Sequence, residues 1–243
     1  MNGDMPAFAG DLSTMWRLQN RPPLHHLTWD WWWWLVMLDD PNGKPSGRQL
    51  MVLWSTKDNP LVEVNGVPWT PQGRPGFDEH DGMALDGMVC AWWFDGTQMH
   101  EPVIQRICRI VAMPDTHPKW PSDQNEVGKG GGAVVPLLEE DMSMGLKSDL
   151  SEFWLNLSTD EEAAHPMVPK EMRLKLTPWN SAMSTAREAT ATYAANMGYD
   201  ILRLHGTKAS GTFDGEDVNG TAYFQKVSVQ APSVPWYWGV LHL

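Results

Sequence analysis

Several things are scarce in this chain, and each scarcity closes off a class of function. Basic residues are few: 18 Lys and Arg stand against 30 Asp and Glu, for a formal charge of −12. Phosphate backbones are held by clustered cations, so no nucleic-acid partner is expected, and an anionic membrane surface would repel the chain. Cysteine occurs only twice, at Cys90 and Cys108, each within an apolar strand-like run and without metal-ligand spacing. Buried thiols fit that placement better than a disulfide or a metal site. No apolar run approaches the roughly 18–20 uninterrupted residues of a membrane-spanning helix, so no membrane span is expected. The opening "MNGDMPAFAGDLSTMW" lacks the basic and apolar regions of a signal peptide. These absences point to a soluble, cytoplasmic protein.

Motifs are scarce as well. The chain has no Ser-His-Asp order, P-loop, dinucleotide fingerprint or H-E-x-x-H pair. The glycine run "GKGGG" lacks the downstream Lys-Ser/Thr that would make it a phosphate cradle.

What is present is tryptophan, 15 in all, together with 21 Gly and 19 Pro that divide the apolar runs into short pieces. That profile predicts a mainly β protein with many hairpins. Residues 1–23 read as a lead-in ending in "NRPP", which resists helix, and the β domain is expected to begin at residue 24. "TWDWWWWLVMLDD" is a long strand, "DDPNGKPSG" a turn, and "RQLMVLWSTKD" the returning strand. "VEVNGVPW" holds an Asn-Gly hairpin signal. "MVCAWWF-DG-TQMHEPVIQRICRIVAM" reads as two strands about an Asp-Gly turn. Pairing Phe94 with Thr97 would set Cys90 against Glu101 and Cys108 against Met83, so the thiols do not face each other. "PDTHPKWPSDQNEVGKGGG" and "STDEEAAHPMVPKE" are loops. "AVVPLLEEDMSM" and "SEFWLNLS" are strand candidates, as are "YDILRLHGTKASGTF", "NGTAYFQKVSV" and "VPWYWGVLHL". "NSAMSTAREATATYAANMG" is the one helix candidate: Ala182, Ala186, Ala189, Tyr193 and Met197 share a face, Asn180 caps it and Gly198 ends it.

The tryptophan strand carries the functional signal. Its side chains alternate, placing Trp29, Trp31, Trp33, Leu35 and Met37 on one face and Asp30, Trp32, Trp34, Val36 and Leu38 on the other. Both faces are apolar, so the strand is covered on both sides or lines a hollow barrel beneath a second layer. Asp30 then stands out, because a buried carboxylate costs several kcal/mol unless paired or protonated. A carboxyl group kept neutral by its apolar site could donate a proton, and nearby indole faces could stabilise a developing cation. The plainer alternative has Asp30 bonded to a backbone amide or to Arg48 across the hairpin.

Other polar candidates point less clearly to chemistry. His25 and His26 are adjacent on extended chain and face opposite ways. His100 and Glu101 precede Pro102, which implies an edge position. His205 lies in "ILRLHG", where a satisfied structural histidine is the plainer reading.

"DWWWWLVML" followed by "GRQLMVLW" resembles the first strands of the lipocalin-like carotenoid 1,2-hydratase (hydroxyneurosporene synthase) and AttH-like superfamily, which also includes tocopherol cyclase-like proteins and fungal Diels–Alderases. "HGTKASGTFDGEDVNGTAYFQKVSV" is similar to a later stretch of the same group, and "PWYWGVLHL" to the strand that opens its second domain. The resemblance implies an antiparallel lipocalin-like (calycin) barrel or curved sheet, over residues 24–232, with one or two peripheral helices. Residues 233–243 would then be a terminal strand resembling the start of the second domain, whose remainder a homodimer mate or a separate second-domain partner would supply if the chain is not simply a short member. It further implies a cofactor-independent hydratase, cyclase or isomerase acting on an apolar isoprenoid or polyketide-like small molecule. On that model Asp30, standing where the group has Glu, is the catalytic acid. Trp32, Trp34, Trp54, Tyr223, Gln225, Trp236 and Trp238 are the ligand-binding wall. Phe224 and Gln225 stand in place of the group's usual His and acid, which removes one proton-transfer pair. A non-catalytic carrier for hydrophobic molecules, or an interaction domain with a filled core, is the alternative. An acid-free pocket would favour the carrier, and a pocket with Asp30 unpaired and accessible would favour the enzyme.

Overall fold

A computed structural model of the chain describes residues 28–57, 62–70, 76–77, 83–114, 132–136, 142–147, 151–179, 186–192 and 198–230. The strands are β1 (Thr28–Asp39), β2 (Pro45–Lys57), β3 (Val62–Val64), β4 (Val67–Trp69), β5 (Gly76–Phe77), β6 (Met83–Phe94) and β7 (Ile104–Pro114). They continue with β8 (Gly132–Pro136), β9 (Ser143–Leu146), β10 (Phe153–Ser158), β11 (Glu171–Pro178), β12 (Ala186–Thr192), β13 (Gly198–Phe213) and β14 (Glu216–Gln230). The expected mainly β, antiparallel curved architecture is present. The expected lead-in at residues 1–23 and terminal strand at 233–243 lie outside the described residues.

Hairpin chemistry sets the registers. At the β1–β2 turn, Asp40 Oδ1 accepts the amides of Asn42 (2.8 Å) and Lys44 (2.9 Å). Asn65 and Gly66 between β3 and β4, and Asp214 and Gly215 between β13 and β14, all take positive φ. Two such residues in succession make the turn that matches strand twist. Gly220 serves a different need: a Cβ there would lie 2.0 Å from Met37 O, so the close approach of β14 to β1 requires glycine.

The sheet runs β11-β10-β9-β8-β7-β6-β2-β1-β14-β13-β12, and β13 also pairs with β11. The hydrogen-bonded path therefore curls round and returns to its start. β13 makes this closure because it is long and irregular. Gly198–Leu204 pairs with β12, the register shifts between Leu204 and Thr207, and Thr207–Phe213 pairs with β11. The enclosed face holds one continuous core drawn from strands all round the sheet, including Trp32, Trp34, Val52, Trp93, Phe153, Leu174, Phe213 and Phe224.

The structure corrects two sequence expectations and adds strands that the sequence reading did not assign, among them β5 and β11. Residues 186–192 of the expected helix form β12 instead, while residues 180–185 and 193–197 lie outside the described residues. Alanine's helix preference is worth less than about 1 kcal/mol per residue. Pairing with β13 supplies a ladder of backbone hydrogen bonds, and the alternate Thr190 and Thr192 suit a strand. In the β6–β7 hairpin, Cys90 pairs with Gln105 and Cys108 with Gly87, a four-residue displacement from the expected register. The cause is a longer loop: Asp95 Oδ1 accepts the amides of Thr97 (2.7 Å) and Gln98 (2.9 Å), and regular pairing resumes only at Ile104. The thiols still do not face each other, and both are free. In β11, "EMRLKLTP" alternates buried positions with exposed or half-exposed ones. Among the described residues, no helix is long and apolar enough to cross a membrane.

Candidate functional site

The expected alternation of β1 is present. Trp32, Trp34, Val36 and Leu38 face inward and are completely buried, with Asp30 beside them at 1% exposure. Leu35 and Met37 face outward and are buried too, and Trp31 packs against Ile201, Val227 and Val229. The strand is thus covered on both sides.

Strand register arranges the inward positions in rungs. Ser228, Asp30, Thr56 and Gly87 form one, close to where β1 begins and β14 ends. Lys226, Trp32, Trp54 and Val89 form the next, followed by Phe224, Trp34, Val52 and Ala91. The inner face therefore passes from small and polar at one end to aromatic and then aliphatic.

Asp30 is not bonded to Arg48, which donates instead to Asp39 O (3.1 Å) and Ser46 Oγ (3.3 Å) at the far end of the hairpin. Two of its partners come from β14. Lys226 Nζ and Ser228 Oγ both donate to Asp30 Oδ1. Lys226 Nζ also donates to Ser228 Oγ (3.1 Å) and Val227 O (3.2 Å), which uses the three donors of an ammonium. The same nitrogen lies 4.4 Å from the centroid of the Trp32 ring, so that indole face already carries a cation. The Asp30 carbonyl accepts from Ser55 Oγ and Thr56 Oγ1, each at 3.4 Å. Ion pair, hydroxyl and aromatic face form one buried unit, as desolvated charges require.

The residues expected to form a single ligand wall are divided by the sheet. Trp32, Trp34 and Trp54 share the inner face with Asp30. Tyr223 and Gln225 pair with Leu35 and Trp33 and point to the outer face. There the Tyr223 hydroxyl donates to Gln225 Oε1 (3.4 Å), and the Tyr223 ring meets Trp33 edge-on at 5.7 Å and His205 at 5.1 Å. Phe224 points inward and packs on Trp34 (4.6 Å) and Phe153 (5.7 Å). Trp236, Trp238, His25 and His26 lie outside the described residues.

Lys226 and Ser228 were not singled out by sequence reasoning. A signal existed in "YFQKVSV": with Phe224 facing inward, period two puts Lys226 and Ser228 on the same side, opposite a strand carrying one acid.

Two other polar groups have defined roles. His100 Nε2 meets Asp95 Oδ2 at 2.8 Å, and its ring lies 4.7 Å from that of His165. The Gln98 amide first, then His100, hold the Asp95 carboxyl below the usual carboxylate value. On the outer face of β6, burial, reinforced by the charge of Asp160, pushes the Cys90 thiol up to about 12. Among the described residues, no group of three or more His, Cys, Asp or Glu is arranged to hold a metal.

No protein-family model and no curated protein matches the chain. Among solved structures, it is similar to a candidate AttH protein from Nitrosomonas europaea, with 13% sequence identity and a TM-score of 0.45. The match covers 88% of this chain and 57% of the other, so this chain spans little more than half the length of that protein.

Proposed function

We propose that this protein binds an apolar small molecule on the inner face of its curled sheet, with Asp30, Lys226 and Ser228 as the polar end of the site. The observation that carries this reading is the placement of that cluster. It lies at the end of a face otherwise built from Trp32, Trp54, Trp34 and aliphatic side chains. Ligand sites are mostly apolar with a few fixed polar groups that orient the ligand. A buried ion pair is seldom the most stabilising way to fill a core, so retaining one among tryptophans supports a use beyond packing.

Binding is placed ahead of catalysis because Asp30 is ion-paired and buried rather than accessible as a lone acid. The second reading is a cofactor-independent hydratase, cyclase or isomerase acting on an isoprenoid or polyketide-like molecule. One observation favours it: ammonium, carboxylate and hydroxyl are in mutual contact, so after Lys226 protonates the substrate, Asp30 can take the proton that the attacking water or the cationic intermediate releases and pass it back to Lys226. In that role Lys226 is the donor and Asp30 the group that restores it.

Titration with retinol and β-ionone, followed by tryptophan emission, tests binding. A saturable change at low micromolar concentration is expected, and no response across a broad panel of polyenes and terpenoids would contradict the reading. Turnover of a bound compound that disappears in Lys226→Met and Asp30→Asn, with binding retained, would move the conclusion to the enzyme.

A further inference from the structure

Trp34 and Trp54 are both completely buried, yet among the described residues the indole N–H of each has no hydrogen-bond partner. Other buried tryptophans differ: Trp93 Nε1 donates to Met167 O at 2.8 Å, and Trp154 Nε1 to Ser143 Oγ at 3.2 Å. Leaving a buried donor unpaired forfeits its hydration with nothing in return, and native proteins rarely tolerate it without a reason. The two indoles stand on adjacent rungs. Trp54 lies on the rung of Trp32 and Lys226, and Trp34 on the following rung. A third unpaired group, the Thr207 hydroxyl, occupies the rung after that, beside Ala222 and Val36.

We propose that the Trp34 and Trp54 N–H groups form a subsite for an acceptor oxygen, so that the ligand is an apolar molecule bearing a carbonyl, ether or hydroxyl oxygen rather than a pure hydrocarbon. This inference rests on the reading that the inner face takes an apolar ligand, and it specifies what that ligand carries. Indole is a donor only, so two indoles select for an acceptor. Lys226 and Asp30 satisfy one another on the neighbouring rungs and do not compete for the same oxygen. A site built to hydrogen-bond a ligand group discriminates against the analogue lacking it, because its own donors are then left unpaired.

The test compares 1-acetylnaphthalene with 1-ethylnaphthalene, which share a ring system and nearly a volume. Calorimetry gives both affinities, each corrected for the compound's own transfer from water to hydrocarbon. Indole 1H–15N resonances of the 15N-tryptophan-labelled protein are followed alongside. The ketone should bind about three- to tenfold more tightly after correction. It alone should shift the Trp34 and Trp54 indole resonances downfield, and the preference should vanish in Trp34→Phe and Trp54→Phe. If either variant fails to fold, the wild-type resonances, assigned through bonds, decide the matter. Equal corrected affinities with unmoved indole resonances would overturn the subsite and leave apolar binding intact. Indole protons that contact only water in the presence of bound ketone would do the same. Failure of both compounds to bind would overturn the subsite, while the binding reading is decided by the polyene and terpenoid panel.

Discussion

Lys226→Met isolates the contribution of the buried cluster. Methionine keeps most of the side-chain stem over Trp32 and deletes the ammonium. Asp30, 1% exposed, then loses the ammonium that donates to it and keeps the Ser228 hydroxyl. Removing one partner of a buried ion pair costs about 3–5 kcal/mol, because the remaining charge stays desolvated. For a protein of this size that corresponds to a fall in Tm of roughly 6–20 °C. Replacing both partners, in Asp30→Leu/Lys226→Met, removes the stranded charge as well as the attraction. The double variant should therefore recover to within about 1–2 kcal/mol of wild type. Urea unfolding followed by tryptophan emission and far-ultraviolet dichroism supplies all the free energies of the cycle. A Lys226→Met protein within about 0.5 kcal/mol of wild type would refute the reasoning, since surface substitutions behave that way. A double variant as unstable as the sum of the singles would refute it equally, because the two sites would then be independent.

Three further outcomes are expected. The folded-state pKa of Asp95 is depressed, so its stabilising contribution is present above the ordinary 3.8 and is lost as pH falls through the folded value. The Tm gap between wild type and Asp95→Asn should accordingly narrow on acidification from about pH 6, and a gap constant with pH would contradict this. Cys90, buried and with a thiol raised to about 12, should resist alkylation at neutral pH in the folded protein and react after unfolding; rapid labelling of the native state, read by peptide mass, would contradict it. Gly220→Ala should destabilise by roughly 2–3 kcal/mol in urea because its Cβ meets the Met37 carbonyl, and a neutral effect would show that β1 and β14 can move apart.

The sequence was most informative where a single physical rule dominates. Alternation along "DWWWWLVML" assigned the inward and outward residues of β1 from Asp30 to Leu38, since side-chain direction in a strand depends only on parity. Asn65-Gly66 marked its hairpin because that turn requires positive φ. The sequence misled where tertiary pairing competes with local preference. Alanine-rich residues 186–192 read as helix, yet they add to the edge of β13. It also fell short where a site depends on which strands become neighbours. Asp30 was conspicuous from its setting, but its partner lies 196 positions away, on a strand whose pairing with β1 no local pattern specifies. For the same reason Tyr223 and Gln225 were grouped with Trp32 and Trp34: only the β1–β14 register shows that they occupy opposite faces.

Binding on the inner face of the curled sheet is tested most directly by an experimental structure of the protein bound to an apolar ketone such as β-ionone. Ligand density is expected against Trp54 and Trp34, reaching toward the Asp30–Lys226–Ser228 cluster, with the ketone oxygen within hydrogen-bond distance of an indole nitrogen. Ligand density confined to the outer face beside Tyr223 and Gln225, with Trp34 and Trp54 still packed against protein alone, would contradict it.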